Sequence, residues 1–213
     1  QEEEIPRRQK LRNLGQYILE GSKPGAAAAA VAVTHRVLPL DSTGFGRLLR
    51  LTVQSCETFY DSVQEKAEAW KDRVRLCVPF EPDSNLICLA LNPTGNRSVA
   101  AMNRFGRTVF QRMKVDPEQP VQVKTFIGSY TSLTKGNLPG SEADRILDGL
   151  GLDPDTFVLV PEDPEREADH VFILRHTLMN PWLMAQPYGD GRSYIDLYWD
   201  YLDRVVREVL GAG

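Results

Sequence analysis

Gly15-Gln16-Tyr17-Ile18-Leu19-Glu20-Gly21-Ser22-Lys23-Pro24-Gly25, running straight into five alanines at 26–30, is the stretch on which the reading of this chain turns. An Ile/Leu pair leads into a Gly-Ser turn, and a Pro-Gly step then opens an alanine-rich segment. Proline suits the first turn of a helix, where its missing N–H is not required. The spacing predicts a helix over 26–37, whose small side chains permit a close approach by neighbouring backbone. Pro39 and Asp41-Ser42-Thr43-Gly44 end it, with Ser42 or Thr43 placed to cap a second helix over 45–74. In that helix Leu48, Leu51, Phe59, Val63 and Trp70 recur at helical spacing. Upstream, residues 1–12 are polar and of mixed charge and read as a loop.

The period changes at Arg75. Residues 75–80 and 85–91 are short runs rich in Val, Ile, Leu and Cys with Pro and Asp between them, the pattern of paired strands. A helix over 96–113, a strand over 121–127 and a short helix over 141–150 follow. The acidic, proline-bearing stretch 152–168 reads as a loop, 170–179 as a strand ended by Asn180-Pro181, and 192–210 as an amphipathic helix. Its apolar face is read as Tyr194, Leu197, Tyr201, Val205 and Val206. Alternating strands and helices predict a small α/β domain over 75–213, with helices on one face of a sheet. The two helices within 1–74 are expected to belong to a larger domain whose sheet lies upstream.

Composition narrows the classes of function. The 213 residues carry a net charge of −4, with 42% hydrophobic and 25% charged residues. That balance gives no diffuse basic field for nucleic acid or an anionic membrane surface. The uncharged apolar run 25–34 is about half of the roughly 20 residues a membrane-spanning helix needs. The N-terminal residues do not read as a signal peptide. Cys56, Cys77 and Cys88 form no CxxC pair, and Cys77 and Cys88 lie in apolar strand-like runs, so the three read as structural thiols of a cytoplasmic protein. His35, His170 and His176 have no ligand-like spacing with them.

Three constellations could carry chemistry. Gly21-Ser22-Lys23, before a helix, is either a helix cap or a phosphate contact built from backbone N–H groups and a hydroxyl. Lys23 precedes a proline at a helix start, a poor place for a buried amine. Arg175 stands in Val171-Phe172-Ile173-Leu174-Arg175-His176-Thr177-Leu178-Met179, where a guanidinium needs an anion or a route to solvent. The anion is either a structural Asp or Glu or a ligand carboxylate, which the planar fork fits in bidentate fashion. By alternation along the strand, Thr177 shares the arginine's face and His176 points the other way. Asn92-Pro93-Thr94-Gly95 has the letters of an aminotransferase substrate turn, but no Ser-x-x-Lys follows at a suitable place, and it reads as a strand-to-helix turn. Asn96-Arg97-Ser98 fits a glycosylation sequon of the kind that occurs by chance.

The chain resembles the C-terminal part of the group II pyridoxal-phosphate-dependent amino-acid decarboxylases, and within them the bacterial tyrosine decarboxylases. The resemblance rests on Leu19-Glu20-Gly21-Ser22-Lys23-Pro24-Gly25-Ala26, on His35-Arg36-Val37-Leu38-Pro39-Leu40 followed by Gly44-Phe45-Gly46-Arg47-Leu48-Leu49, and on Pro82-Asp83-Ser84-Asn85. Leu174-Arg175 with Met179 and Pro181 downstream, Ala101-Met102-Asn103, and the stretch 129–150 add to it; together they cover about 14–206. Ala32 departs from the pattern, which usually carries an aromatic residue there. The resemblance implies the C-terminal portion of a fold-type I enzyme, with residues 1–74 as the last helices of the cofactor-binding large domain and 75–213 as the small domain. It implies pyridoxal 5′-phosphate as cofactor, a ring that acts as an electron sink when CO2 departs. Arg175 would anchor the substrate carboxylate, Thr177 would help shape the pocket, and Gly21 and Ser22 would contact the cofactor phosphate across a homodimer. No lysine here follows a histidine as the family's cofactor lysine does, so no catalytic residue is expected in this chain, and the lysine would come from an N-terminal part of the same enzyme. The substrate would be an amino acid, aromatic by the nearest pattern. The competing expectations are a non-catalytic fragment or interaction domain, and an aminotransferase-like small domain supported by Asn92-Pro93-Thr94-Gly95 alone.

Overall fold

The computed structural model describes residues 24–159 and 167–211. Two compact units divide between Arg47 and Leu48. The first carries helix α1 (Gly25–Val37), preceded by Pro24, and none of its residues is buried. The chain turns behind it where the N–H of Phe45 donates to the Pro39 carbonyl at 2.8 Å. The Thr43 hydroxyl and N–H both turn to the Asp41 carboxylate, at 2.7 and 2.8 Å, so Thr43 serves this turn instead of capping the next helix.

Helix α2 (Phe45–Trp70) begins in the first unit and supplies Cys56, Phe59, Val63 and Trp70 to the core of the second. The boundary read near residue 74 therefore falls inside the second unit, because these apolar residues are buried with the sheet. Strands β1 (Val74–Cys77), β2 (Leu86–Pro93), β3 (Ser129–Thr134) and β4 (His170–Thr177) alternate with helices α3 (Val99–Met113), α4 (Gly140–Leu150) and α5 (Tyr194–Leu210). The sheet runs in the order β1-β2-β4-β3. Every neighbouring pair is antiparallel, and the last strand in sequence lies between β2 and β3.

Alternation along the central strands feeds two separate cores. Ile87, Leu89 and Leu91 of β2 join Phe172 and Leu174 of β4 under α2, α5 and most of α3. Ala90, Val171 and Ile173 point the other way and pack with Ile146, Leu147 and Leu150 of α4 and with Phe157. The sheet is thus covered on both faces, and the expectation of helices on one face is corrected. A strand buried on both sides reads as a continuous apolar run, as His170–Thr177 does up to Leu174.

Two further expectations change. The strand read over 121–127 is a single turn at Val121–Val123 followed by irregular chain, with Val121 and Val123 exposed. Their alternation has no layer to face, and the partner of β4 is the more polar Ser129–Thr134. An edge strand tolerates that composition because one of its faces and its free edge meet water. On α5 the buried stripe is Ile195, Tyr198, Trp199, Leu202, Val205 and Val206. It is turned by one residue from the face read from sequence, since Tyr194, Leu197 and Tyr201 lie at the flank of a broad apolar band. The helix start is fixed by a reciprocal box: the Asp196 N–H donates to Ser193 Oγ, and the Ser193 N–H donates to the Asp196 carboxylate at 2.8 Å.

Asn103 ties α3 to the start of β4. Fully buried, its Nδ2 donates to the carbonyls of Glu167 at 2.5 Å and His170 at 2.6 Å, and its Oδ1 accepts from the Phe172 N–H at 2.8 Å. Three residues further along the helix, a Cβ on Gly106 would meet Phe172 Cδ1 at 2.9 Å, so only glycine lets α3 lie this close to the strand. Replacing Asn103 by Leu strands three buried backbone groups at roughly 1–3 kcal/mol each before relaxation. The expected loss is about 2–5 kcal/mol in chemical unfolding, with reduced amide protection at the start of β4. A change within about 0.5 kcal/mol, the range of surface substitutions, would contradict this account of the clamp.

Candidate functional site

The cavity with chemistry at its rim opens where β4 leaves the core. β4 supplies residues 174–178, the segment before β3 supplies Phe126, Ile127 and Gly128, and α2 and α5 supply Phe59, Tyr194, Ile195 and Tyr198. Its volume is about 350 Å³, within the range of small-molecule sites. Gly128 belongs to its wall because a Cβ there would meet Met113 Cβ at 2.8 Å.

The inner wall is aromatic. Phe59 stacks on Trp199 with centroids 4.9 Å apart and lies 5.1 Å from the His176 ring. Tyr198 meets Phe126 edge-on at 5.3 Å, and the Trp199 Nε1–H is satisfied by Ser62 Oγ at 2.7 Å. Such pairings add about 0.5–1.5 kcal/mol each beyond the area they bury. His176 Nε2 and the Tyr198 hydroxyl are 2.5 Å apart. Burial pulls the His176 pKa down to about 4, opposed in part by the Ile87 backbone. Burial pushes the Tyr198 phenol up. Both groups are neutral at pH 7, and the pair is a polar, uncharged spot in an apolar wall.

The rim is different. Arg175 is exposed, because the core on its own face of β4 takes no strand residue beyond Ile173. Of the two routes open to a guanidinium here, the structure takes the one to solvent. The strand register sets Arg175 between Cys88 of β2 and Ser129 of β3. Its Nε donates to Ser129 Oγ at 3.1 Å, and that hydroxyl is 3.2 Å from the Arg175 carbonyl. Among the described residues, no carboxylate forms an ion pair with Arg175. The terminal guanidinium nitrogens thus remain available for a planar anion. Thr177 is exposed on the arginine's side of the strand, opposite Leu86, and also lines the cavity. His176 points to the other face, as alternation requires.

Residues 55–210 match the family model described as tyrosine decarboxylase, C-terminal. The chain belongs to this tyrosine decarboxylase C-terminal family. It is 31% identical over 179 residues to the L-tyrosine decarboxylase of Levilactobacillus brevis, covering 80% of this chain and 26% of that protein. The L-tyrosine decarboxylase of Enterococcus faecium is 29% identical over 171 residues, again 80% of this chain and 26% of the relative. That of Enterococcus faecalis is 29% identical over 206 residues, 92% of this chain and 29% of the relative. The chain therefore spans little more than a quarter of the length of the curated relatives it matches.

Within this tyrosine decarboxylase C-terminal domain the sequence candidates separate. Arg175 and Thr177 come together at one cavity, while Gly21 and Ser22, with Lys23, lie outside the described residues. Asn92-Pro93-Thr94-Gly95 is a structural turn. The buried Asn92 side chain donates to the carbonyls of Leu150 and Asn96 at 2.8 and 2.9 Å and accepts from Asn96 Nδ2, so it is fully used inside the fold. The three cysteines are free, and burial raises all three thiols, with the Arg175 charge opposing this at Cys88. No described helix is long and apolar enough to cross a membrane. From sequence Phe59 is read only as an apolar position of the second helix, and Phe126 and Tyr198 are not singled out. Phe126 lay in a misread strand and Tyr198 in a run of three tyrosines, and the signal that could have marked them is aromatic density close to Arg175.

The His176 environment gives a pH signature. An imidazole held near 4 in the fold, against 6.5 ordinarily, takes up its proton first in the unfolded chain. Its contribution is complete above pH 6.5 and is lost as pH falls from there toward 4, by up to about 3 kcal/mol. Denaturant unfolding across this window should show a shallower decline for His176→Gln than for the parent. Parallel declines would contradict the burial of a neutral ring.

Proposed function

We propose that this chain is the substrate-facing small domain of a pyridoxal-phosphate-dependent amino-acid decarboxylase. In this reading the complete enzyme acts on an aromatic, tyrosine-like amino acid and releases CO2 and an amine. The observation that carries the reading is a guanidinium with free donors at the rim of an aromatic-walled cavity. A charged fork at the rim and apolar rings within suit a ligand with a carboxylate at one end and a ring at the other. The names of the three relatives support tyrosine as the reference substrate.

The described residues do not by themselves fit the cofactor, since no lysine lines the cavity. Gly21 and Ser22 are the proposed phosphate contacts, and the N-terminal part of the same enzyme is the proposed source of the cofactor lysine. Alone, the chain is then inactive. What its own residues do is bind and orient. Arg175 holds the carboxylate at a fixed point, Ser129 steadies Arg175 through Nε, and Thr177 narrows the rim beside it. The aromatic wall keeps water from the substrate ring. Residues before Leu48 are assigned to the cofactor-binding large domain and the rest to the small domain. The three free thiols, of which Cys56 is buried and Cys77 and Cys88 partly so, support a cytoplasmic setting, and the family resemblance supports a homodimer.

In the complete enzyme, Arg175→Met should lower kcat/KM for tyrosine by about 10- to 150-fold, equivalent to the roughly 1.5–3 kcal/mol of hydrogen bonds to a charged group. Because Arg175 is exposed, stability should change by no more than about 0.5 kcal/mol. Steady-state CO2 release and thermal unfolding check the two halves. Unchanged KM and kcat would remove Arg175 from the substrate site.

A further inference from the structure

Between β4 and α5 the chain makes an ordered turn whose apolar side chains divide into two sets. Leu178 is 9% exposed and Leu183 packs against the core, and both line the cavity. The turn is held by the Leu178 N–H on the Asn85 carbonyl at 2.8 Å, the Trp182 N–H on Asn180 Oδ1 at 3.0 Å and the Ala185 N–H on the Trp182 carbonyl at 2.9 Å. This ordering leaves Met179, Trp182 and Met184 at 71%, 64% and 43% exposure. Trp70 and Trp199, the other two tryptophans, are 4% and 1% exposed. Ile127 and Tyr194, at the rim of the same cavity, are 58% and 37% exposed. Single exposed apolar residues are ordinary, but three large ones on one pinned turn beside a cavity mark a surface that is covered in use.

We propose that this turn is the docking surface for the cofactor-bearing part of the same enzyme, with Trp182 as its anchor. The proposal rests on the functional reading above. Three observations argue for that occupant. Coverage of 26–29% leaves about three quarters of each relative outside the described fold. The cavity opens beside the turn and presents unneutralised Arg175, while no lysine lines it. A part that brings the cofactor to Arg175 must cross this rim, and an apolar collar closes it against water. Among the described residues no lysine lies at this rim, so a second copy facing it would bring another Arg175 and not a cofactor lysine. Tryptophan and methionine are also residue types enriched at protein interfaces.

Hydroxyl-radical oxidation of Met179, Trp182 and Met184, read by mass spectrometry, compares the chain alone at rising concentration with the complete enzyme. Oxidation slower by at least about tenfold in the complete enzyme, and independent of concentration in the chain alone, is the expected result. Equal rates in the two samples overturn the proposal. Slowing in the chain alone as its concentration rises also overturns it, and assigns the surface to a second copy. Trp182→Asp supplies a second readout. It should leave unfolding of the chain alone unchanged and restore fast oxidation of Met179 and Met184 in the complete enzyme; persistent protection counts against Trp182 as the anchor. CO2 release from tyrosine, followed on the same complete enzyme, separates the two readings. Release with an unprotected turn sinks the docking surface and leaves the function standing, whereas protection without release supports docking and overturns the substrate assignment.

Discussion

Strand β4 is buried on both faces, and that constraint organises the domain. A strand between two apolar layers accepts no charge along its covered length, because an unpaired ion there costs several kcal/mol. Polar chemistry can enter only where a layer stops. On one face the core takes no residue of β4 beyond Ile173, so Arg175 and Thr177 follow there in water, while on the other face His176 stays against Phe59 and Tyr198. The place at which β4 runs out of cover thus fixes the place at which a ligand can be met. Asn103, by holding the start of the strand to α3, fixes how far along it that point falls.

The cavity joins two environments that a single layer could not provide. Strand alternation sends Arg175 and Thr177 to one side and His176 to the other. The arginine stays in water with its charge, while the histidine gives its charge up to remain among Phe59 and Tyr198. One short run of sequence thereby builds a charged lip and a neutral wall. Tyr198 reaches that wall because the Ser193–Asp196 box fixes where α5 begins.

Much of this could be read from the chain before the structure, and the misreadings share a physical origin. The helices and the strand at 170–177 announced themselves through long, consistent periods, and the Arg175–Thr177 pairing followed from alternation alone. What failed depended on which layer a residue meets. Val121 and Val123 have a strand's pattern without a layer to pack on. Tyr194 and Tyr201 resemble core residues but flank the buried stripe of α5. The second core was missed because Ile146, Leu147 and Leu150 could have covered either face. The aromatic wall draws on α2, α5 and the segment before β3, residues far apart in sequence, so no local pattern marks it.

The strand order carries a consequence for how the molecule is made. β4 lies between β2 and β3 but follows both in sequence. During synthesis from the N-terminus, β2 and β3 emerge with the place between them empty, and their inward edges stay unpaired until the final strand arrives. Pairings over such separations form slowly, since loop closure precedes any gain from contact. The nascent domain therefore passes through an interval with an open sheet edge and uncovered apolar faces, the condition in which chains associate wrongly or recruit chaperones. The segment that carries Arg175 and Thr177 is also the one that closes the sheet, so a chain interrupted before it would lack the cavity rim and its central strand together.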